Sequence, residues 1–394
     1  PTEKTSLIGG TVACNASGAR TFGYGSTRKY IRRLRCVLIT GETLDVKRGE
    51  IKARENRLDF HTGERNISIE LPHVHQTNLK NTAGYQVSPN MYLIDLLIGS
   101  EGTLGVITEI ELKLVPFPRN ILGAMIYFNR EKDAVKFVRG SRGEKINEFQ
   151  ISPDALPQAL EFFDRKAIHL LRKTRDEQGA QSPIPTLPEN IDAIIYYERM
   201  YDNEELTDEI CLALEDALNL CNASLDDTWA EFDYTGLKKM KDFRHALPES
   251  INSILGRIKA KHPDITKLGT DFAVPDEHLE TIINIYRERL ERSGLHYVMF
   301  GHIGNNHIHT NIIPKNPDEY RRGKELYNRL AEEAIRLGGT AAAEHGIGKL
   351  KTGLMRKMHG KETVEKMRKI KRAFDPENHL NRGNLFDETE PAAS

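Results

Sequence analysis

The chain has 394 residues, of which 39% are hydrophobic, and its 56 Lys and Arg against 57 Asp and Glu give a formal net charge of −1. This balance gives no electrostatic argument for nucleic-acid binding, and no such partner is expected. At roughly 100–200 residues per domain, the length predicts two or three domains. No run approaches the ~18 apolar residues of a membrane-spanning helix, so no transmembrane segment is expected.

The four cysteines are too few and too scattered for a disulfide framework, which favours a cytoplasmic location. The chain starts at Pro1, without an initiator methionine or a signal-peptide pattern. It reaches a small-residue segment, 6–10, within a few positions. We therefore interpret the chain as a piece of a longer protein.

The first 118 residues combine small-residue turns with short strands. Two strands are predicted around a turn at Gly41, since apolar residues precede this turn and Leu44 and Val46 follow it. An alternation of apolar residues from Val106 to Leu114 predicts a half-buried strand. The prolines at 116 and 118 end this strand and mark a domain boundary.

Residues 119–338 alternate strands with helices, and several strands are expected to be buried on one face. This pattern indicates an α+β domain with helices over an antiparallel sheet. Residues 174–190, rich in Gln, Gly, Ser and Pro, are predicted to form an exposed loop. The predicted strands are 124–128, 192–198, 272–274, 297–301 and 307–313, and the predicted helices are 131–139, 203–223, 238–255, 276–293 and 318–337.

Segment 301–311 (GHIGNNHIHTN) carries three histidines within eight residues. A hairpin around its Gly-Asn-Asn turn brings His302 and His309 side by side, and imidazole is a common ligand for divalent metal ions. Segment 343–348 (AEHGIG) adds Glu344 next to a fourth imidazole, His345. Two histidines and a glutamate suit a metal site with an open position, although strand histidines are also common as ordinary core or surface residues.

Two glycine-rich segments are 9–18 (GGTVACNASG), with Tyr24 and Gly25, and 98–105 (IGSEGTLG). Backbone N–H groups in such turns can cradle a pyrophosphate or the polar edge of a ring system. Neither segment is a Walker A loop or a G-x-G-x-x-G fingerprint, and ordinary tight turns are the alternative interpretation. Among isolated cations, Arg244 and Lys267 could hold a carboxylate, but single residues of this kind are most often solvated.

Taken in order, these segments resemble the FAD-linked oxidase family with a PCMH-type (VAO-like) flavin domain, and within it the D-lactate, D-2-hydroxyglutarate and glycolate dehydrogenase branch. The segments that carry the resemblance are 9–18 with 24–25, 81–85 (NTAGY), 98–108, 301–311, 343–348, 374–376 (FDP) and 380–383 (LNRG). The resemblance implies an α+β fold. We expect 1–118 to be the second half of an FAD-binding domain that is incomplete at its N-terminus, and 119–338 to be a cap and substrate domain with an antiparallel sheet covered by helices. Residues 339–394 would supply an active-site loop and return to the FAD domain.

The resemblance also implies a metal site. His302, His309 and Glu344 match the family's divalent-metal ligands, with zinc expected first and Mn²⁺ or Fe²⁺ as alternatives. The adjacent His345 matches the general base. The resemblance gives no role to His307, which is not expected to be a ligand.

Substrate and FAD contacts follow from the same resemblance. Arg244 matches the cap arginine that grips the substrate carboxylate, Lys267 resembles a later cap lysine at a longer spacing, and Asn311 matches a polar substrate contact. The chain reads NRGN at 381–384, where the family has Asn-Pro-Gly-Lys. The implied FAD contacts are Gly10, Thr11, Ala13, Asn15, Gly18, Tyr24, Gly25, Glu101, Gly102, Gly105, Ile107 and Asn381.

The implied reaction is oxidation of a D-2-hydroxy acid, such as D-lactate, to the 2-oxo acid. The metal lowers the pKa of the 2-hydroxyl, His345 takes its proton, and hydride passes from C2 to the flavin. The expected partners are this small acid and an electron acceptor, which could be a quinone, a cytochrome or an electron-transferring flavoprotein. A homodimer and peripheral membrane attachment are both compatible with the family.

Three other interpretations stay open. The chain could be a non-catalytic or truncated subunit of a flavoprotein complex. It could be a metallohydrolase that uses the His and Glu set with bound water, which leaves the glycine-rich segments unexplained. An aryl-ether or alkyl-glycerone phosphate member of the same family is similar in the flavin segment but does not need the metal set.

Overall fold

The structure, a computed structural model, describes residues 5–63, 65–74, 77–146 and 150–387. The elements of its first part are α1 (Ile8–Ala13), α2 (Thr21–Tyr24), β1 (Ile31–Val37), β2 (Thr43–Lys47), β3 (Arg57–Thr62), β4 (Arg65–Glu70), α3 (Leu93–Leu97) and β5 (Val106–Leu112). Strand β1 lies between β2 and β5 in an antiparallel sheet, and β3 pairs with β4 in a two-stranded ribbon. The hairpin of β1 and β2 confirms the two strands predicted around Gly41.

The rest of the chain contains a larger sheet with helices on both faces. Its elements are β6 (Asn120–Phe128), α4 (Glu131–Ser141), β7 (Ala159–Asp164), α5 (Arg165–Gln178), β8 (Ala193–Tyr201), α6 (Leu206–Asn219), β9 (Trp229–Glu231), α7 (Tyr234–Lys261), β10 (Leu268–Gly269), α8 (Leu279–Ser293), β11 (Tyr297–His302), β12 (His307–Ile312), α9 (Pro317–Arg336), α10 (Thr352–His359) and α11 (Lys361–Phe374). The strand order is β10-β12-β11-β7-β8-β6-β9, with antiparallel neighbours throughout. This architecture confirms the α+β prediction. Among the described residues, no helix combines the length and the apolar character that crossing a membrane requires.

Each face of the larger sheet packs into its own apolar core, because neighbouring side chains on a strand point to opposite sides. On β7, Phe162 belongs to the core that contains Phe128 and Leu330. The next residue, Phe163, belongs to the other core, where its ring centroid lies 5.5 Å from that of Phe243 on α7. Burial of one such side chain stabilises the fold by roughly 1.5–3 kcal/mol.

A third core joins the first sheet to the last helices. Leu34 of β1 and Leu93 of α3 pack in one cluster with Met355 of α10 and Phe374 of α11. The ring of Phe374 lies 5.6 Å, between centroids, from the ring of Phe60. The chain after residue 350 therefore packs on the first part of the molecule, which brings segment 343–348 to the junction of the cores.

The strand β5 differs from the alternation predicted for it. Val106 is 58% exposed and Leu112 is 37% exposed, whereas the half-buried residues are Ile107 and Ile110. The pairing of β1 with β5 shifts register between Arg35 and Cys36, which breaks the two-residue period. In addition, β5 is one of the two edge strands of its sheet, so packing covers it less than the internal strand β1.

Two other predictions need correction. The predicted loop 174–190 is helical at its start, because α5 continues with an exposed polar face to Gln178. Beyond this helix, Ile184 and Leu187 are buried. The segment 272–274 makes only isolated bridges, from Ala273 to His307 and to Thr340, instead of a strand. The chain there passes between β12 and the segment after α9, and touches each at a single position.

Candidate metal and flavin site

Three histidines project from one face of the hairpin formed by β11 and β12. His302 pairs with His307 and Phe300 pairs with His309, so the three imidazoles lie on the same side. The ring centroid of His302 lies 5.5 Å from those of His307 and of His309, which are 4.3 Å apart. The predicted hairpin therefore forms, and it gathers all three imidazoles.

Glu344 completes the group from segment 343–348. Its Oε2 lies 3.2 Å from Nε2 of His302, and 3.9 Å from both Nδ1 of His307 and Nε2 of His309. One ligand atom from each of the four residues lies within 4.8 Å of all the others. The second oxygen of Glu344, Oε1, contacts the buried ammonium group of Lys80.

The hydrogen bonds around the cluster suit metal ligation. Nδ1 of His302 donates to Oε1 of Glu161 at 2.5 Å, and Nδ1 of His309 donates to the carbonyl oxygen of Thr270 at 2.8 Å. These bonds leave Nε2 of each ring as a lone-pair donor towards Glu344, which is the arrangement that metal-bound histidines usually show. Imidazoles with one carboxylate form a donor set that fits a divalent ion such as Zn²⁺.

The charges of the cluster are strongly coupled. Burial opposes ionisation of Glu344, but the neighbouring His302 and Lys80 hold the pKa of this carboxyl well below its usual range. Burial alone would lower the pKa of His302, but the Glu161 carboxylate raises it to about 9. Burial also lowers the pKa of His309 well below its ordinary value. Without an ion, a proton on His302 therefore lies between two carboxylates.

Asp271 holds segment 343–348 against the hairpin. Its side chain is fully buried, and its two oxygens accept the backbone N–H groups of Glu344 and His345, each at 3.0 Å. Lys351 donates to Oδ2 at 2.8 Å. Burial opposes ionisation, but Lys351 holds the pKa of Asp271 well below its usual range. The carboxylate thus fixes the backbone that carries both Glu344 and His345.

The predicted base and the predicted cap arginine both border the cluster. The His345 side chain is 62% exposed, and its ring stacks on His309 with centroids 5.6 Å apart and planes 11° apart. On α7, Nη2 of Arg244 lies 3.1 Å from Oε2 of Glu161, whose other oxygen accepts from His302. Arg244 is thus linked to the imidazoles through a single carboxylate.

The other two predicted substrate contacts differ in their position. Asn311 follows His309 on the same face of β12 and is buried, and among the described residues its Oδ1 has no hydrogen-bond partner. Lys267 precedes β10 and is exposed at the sheet edge. Gly269 of β10 pairs with Asn311, so Lys267 lies two residues from that pair. The structure brings Asn311 to the cluster and leaves Lys267 at the rim.

The glycine-rich segments meet at Glu101. The N–H of Glu101 donates to the carbonyl of Ala13 at 2.8 Å, and Nδ2 of Asn381 donates to the Glu101 carbonyl at 2.6 Å. The Glu101 carboxylate accepts the N–H groups of Ile347 and Gly348 at 2.7 and 2.8 Å. Three segments expected to contact FAD are therefore joined to segment 343–348.

Some glycines of these segments adjoin open space. A Cβ placed on Gly10 or Gly18 would meet no heavy atom within 4 Å, which fits the close approach of a cofactor. A Cβ on Gly105 would lie 3.2 Å from the carbonyl oxygen of Val37, so this glycine lets β5 approach β1. The other residues expected to contact FAD lie in the same segments or beside them. Thr11 is in α1, Ile107 is in β5, and Asn15, Gly25 and Gly102 are outside the helices and strands.

Tyr24 lies at the end of α2, where the first part of the chain meets the larger sheet. Its hydroxyl donates to Sδ of Met200 on β8 at 3.2 Å. Nearby, Nε of Arg20 donates to Oε1 of Glu198, also on β8, at 2.7 Å. The segment that follows the first glycine-rich turn is thus tied to the sheet that carries the histidines.

Sequence reasoning missed three charged residues of this site, namely Glu161, Asp271 and Lys80. Each is buried and paired with an opposite charge, on Arg244, Lys351 and Glu344 respectively. A charge inside an apolar run, such as Glu161 in ALEFFD, was the available signal, because charged residues are seldom buried without a partner.

Comparison with known proteins places the chain in a family. Residues 127–385 match the family model described as FAD linked oxidases, C-terminal domain. The chain is 27% identical over 388 residues to glycolate oxidase subunit GlcD of Bacillus subtilis, covering 97% of this chain and 68% of that protein. It is 28% identical over 393 residues to D-lactate dehydrogenase of Anaerostipes hadrus, covering 98% of this chain and 70% of that protein.

The fold is also similar to solved flavoprotein structures. p-Cresol methylhydroxylase with substrate bound aligns with a TM-score of 0.62 at 13% identity, covering 98% of this chain and 70% of that chain. In the alignment with alkyldihydroxyacetonephosphate synthase, the chain covers 57% of the solved structure and so spans a little over half of it. Because the family model covers most of the sequence, this chain belongs to the family of FAD linked oxidases.

Proposed function

We propose that the protein oxidises a D-2-hydroxy acid of the D-lactate type to the 2-oxo acid, with FAD and a divalent metal ion. The observation that carries the proposal is the convergence of His302, His309 and Glu344 beside the exposed ring of His345. The names of the two relatives reported above refer to glycolate and to D-lactate, which are both 2-hydroxy acids. The proposal extends that substrate class to this chain.

The charges around the cluster suit an anionic substrate. The carboxylates of Glu344, Glu161 and Asp271 are each paired with a lysine or an arginine. A divalent ion added to these balanced pairs leaves an excess of positive charge, which attracts a carboxylate. Nε of Arg244 has no hydrogen-bond partner among the described residues, so this guanidinium keeps a donor for the substrate carboxylate.

In this proposal, His345 takes the proton of the 2-hydroxyl. It is the most exposed imidazole of the site, and the Asp271 contact with its backbone N–H fixes where the ring can reach. His302, His309 and Glu344 would hold the divalent ion, which would supply a Lewis acid for the hydroxyl oxygen, and bound FAD would supply the hydride acceptor for C2. The balanced products are the 2-oxo acid, the reduced flavin and a proton on His345.

Asn311 and Arg244 orient the acid for this reaction. The buried side-chain amide of Asn311 can contact the polar end of the substrate, and Arg244 can bind the carboxylate. Two anchored ends fix the C2–H bond in one direction, which is the source of a preference for one enantiomer. Lys267, at the rim, would meet only a longer substrate.

The test is anaerobic reduction of the FAD-loaded protein by a 2-hydroxy acid, and the loss of flavin absorbance measures the reduction. We expect D-lactate to bleach the flavin and L-lactate to leave it oxidised, with glycolate and D-2-hydroxyglutarate compared for substrate length. His345→Asn should slow bleaching by about 10²–10⁴-fold while flavin and metal contents stay unchanged. The matched control is His359→Asn, because His359 is a half-buried histidine outside the cluster that bonds the Ala83 carbonyl.

Two results would contradict the proposal. An unchanged rate in His345→Asn removes this residue as the base. Equal bleaching by both lactate enantiomers, or by neither of them and by no other 2-hydroxy acid, removes the proposed substrate class.

A further inference from the structure

His307 is buried within the cluster and has no role in the reaction described above. It begins β12, two residues before His309, so the two side chains share one face of the strand. Its ring is fully buried, and its centroid is 4.3 Å from that of His309. Both ring nitrogens lack a hydrogen bond of good geometry among the described residues. A buried polar group without a partner is costly, which calls for an explanation.

The surroundings of the two nitrogens differ. Nε2 of His307 lies 3.1 Å from Oδ1 of Asp271, on the outer side of the cluster. Nδ1 lies 3.9 Å from Oε2 of Glu344, on the inner side. A proton on Nε2 faces the Asp271 carboxylate, and the lone pair of Nδ1 then points to the same region as the other two imidazoles.

The three imidazoles thus share one arrangement. The outer nitrogen of each ring lies next to an oxygen atom, on Glu161 for His302, on Thr270 for His309 and on Asp271 for His307. The inner nitrogen of each ring lies within 3.9 Å of Oε2 of Glu344. Outer oxygen partners of this kind are what orient histidines that bind a metal.

We propose that His307 is a fourth protein ligand, so that three imidazoles and the Glu344 carboxylate hold the ion. The inference rests on the proposed function, since it concerns the same ion, but it adds a ligand that the prediction from sequence set aside.

A fourth protein ligand changes what the site can hold. With three protein ligands, a tetrahedral ion keeps one position for a substrate oxygen, whereas four protein ligands fill the tetrahedron. The substrate hydroxyl must then enter as a fifth ligand. The site therefore favours ions that readily take five or six ligands, such as Mn²⁺, Fe²⁺ or Co²⁺, over a strictly tetrahedral Zn²⁺.

The experiment counts imidazoles and measures affinity, without reference to turnover. The FAD-loaded, metal-free protein is titrated with Co²⁺, and its ligand-field spectrum and X-ray absorption fine structure are recorded. Wild type should show three imidazoles per ion, and His307→Asn should show two. The affinity of His307→Asn for Co²⁺ should fall at least about 10–100-fold, the range measured for loss of outer-sphere partners. His359→Asn serves as the control, with three imidazoles and wild-type affinity.

The outcomes distinguish the claim of a fourth ligand from the claim of a metal site. Two imidazoles in wild type, or unchanged Co²⁺ affinity and spectrum in a folded His307→Asn variant, would overturn the fourth ligand and leave the proposed metal site intact. No binding of Co²⁺ by wild type would overturn both. The count in wild type needs no variant, so a misfolded His307→Asn would leave the proposal testable.

Discussion

Oδ1 of Asp271 accepts the backbone N–H of Glu344 at 3.0 Å and lies 3.1 Å from Nε2 of His307, so this residue connects segment 343–348 to the histidine hairpin. Asp271 lies two residues before Ala273, which bridges His307 on one side and Thr340 on the other. One buried carboxylate therefore sets the distance between the imidazoles and the carboxylate proposed as their fellow ligand. The site depends on this connection as much as on the ligands themselves.

Replacement of Asp271 by Asn should separate the two halves of the site. The amide of Asn has one acceptor oxygen, so one of the two backbone N–H bonds is lost and Lys351 keeps no counter-charge. We expect the free energy of unfolding to fall by about 2–4 kcal/mol. Urea denaturation measures this loss. Asp59→Asn, at an exposed position, is the control and should change stability by less than about 0.5 kcal/mol. Equal effects of the two variants would contradict the role of Asp271.

Removal of the Lys80 cation should tighten metal binding. Its ammonium group contacts Oε1 of Glu344 and repels any cation bound nearby. In Lys80→Met the apolar side chain retains most of the packing, and the affinity for Co²⁺ should rise about 10-fold, equivalent to about 1.4 kcal/mol. The metal-free variant should also be less stable than wild type, because Glu344 loses its buried counter-charge. A weaker metal affinity in Lys80→Met would show that Lys80 supports the ion instead of competing with it.

Position 346 requires glycine because of its backbone conformation and because a neighbouring side chain is close. Its φ is 69°, and a Cβ on it would lie 2.5 Å from Oε1 of Glu101. Gly346→Ala should therefore displace the Glu101 carboxylate, lower the free energy of unfolding by about 1–3 kcal/mol and weaken FAD retention. Gly353→Ala, in α10 with no heavy atom near its Cβ, should stabilise by up to about 1 kcal/mol. FAD retention after gel filtration and thermal unfolding compare the two variants, and the same outcome for both would refute this account of Gly346.

Asp164 makes stability depend on pH. Its fully buried Oδ1 accepts the N–H groups of Ala167 and Met299, while Oδ2 has no hydrogen bond among the described residues and lies 3.9 Å from Nη1 of Arg287. Burial raises the pKa of this carboxyl to about 7. In the unfolded chain the carboxyl ionises near pH 4, so between about pH 4 and 7 the native state binds the extra proton.

This extra proton in the native state makes the folding stability decrease as pH rises. The stabilising contribution of the native proton on Asp164 is complete below about pH 4 and is lost as pH rises to about 7, at up to about 1.4 kcal/mol per pH unit. Asp164→Asn keeps the cap oxygen and removes the titration. The difference in unfolding free energy, wild type minus variant, should therefore fall from pH 4.5 to 7.5, as measured by urea denaturation at each pH. A difference that is flat or rises with pH would contradict the raised pKa.

The histidine hairpin could be predicted because its signals are local. A Gly-Asn-Asn turn between alternating residues fixes which side chains share a face, and this pattern placed His302 beside His309. The same two-residue period places His307 on that face, but the family resemblance gave it no role. Strand periodicity therefore predicts the position of His307 in the cluster better than the family resemblance does.

The contacts that hold the site together could not be predicted in the same way. Asp271 and Glu344 are 73 residues apart, and Lys80 and Glu344 are 264 residues apart. Such pairs follow from how the cores pack, which no local pattern encodes. In β5, a bulge and an edge position overrode the alternation, because tertiary context decides which face of a strand is covered.

The central claim is that the ion held by this cluster takes part in oxidation of the acid. The most direct measurement is stopped-flow reduction of the FAD-loaded protein by D-lactate, before and after removal of metal with a chelator. We expect the metal-free protein to retain FAD and to lose at least about 100-fold in reduction rate, equivalent to about 2.7 kcal/mol, with recovery on adding one equivalent of Mn²⁺ or Co²⁺. An unchanged rate of flavin reduction in metal-free protein that still binds FAD would contradict the account.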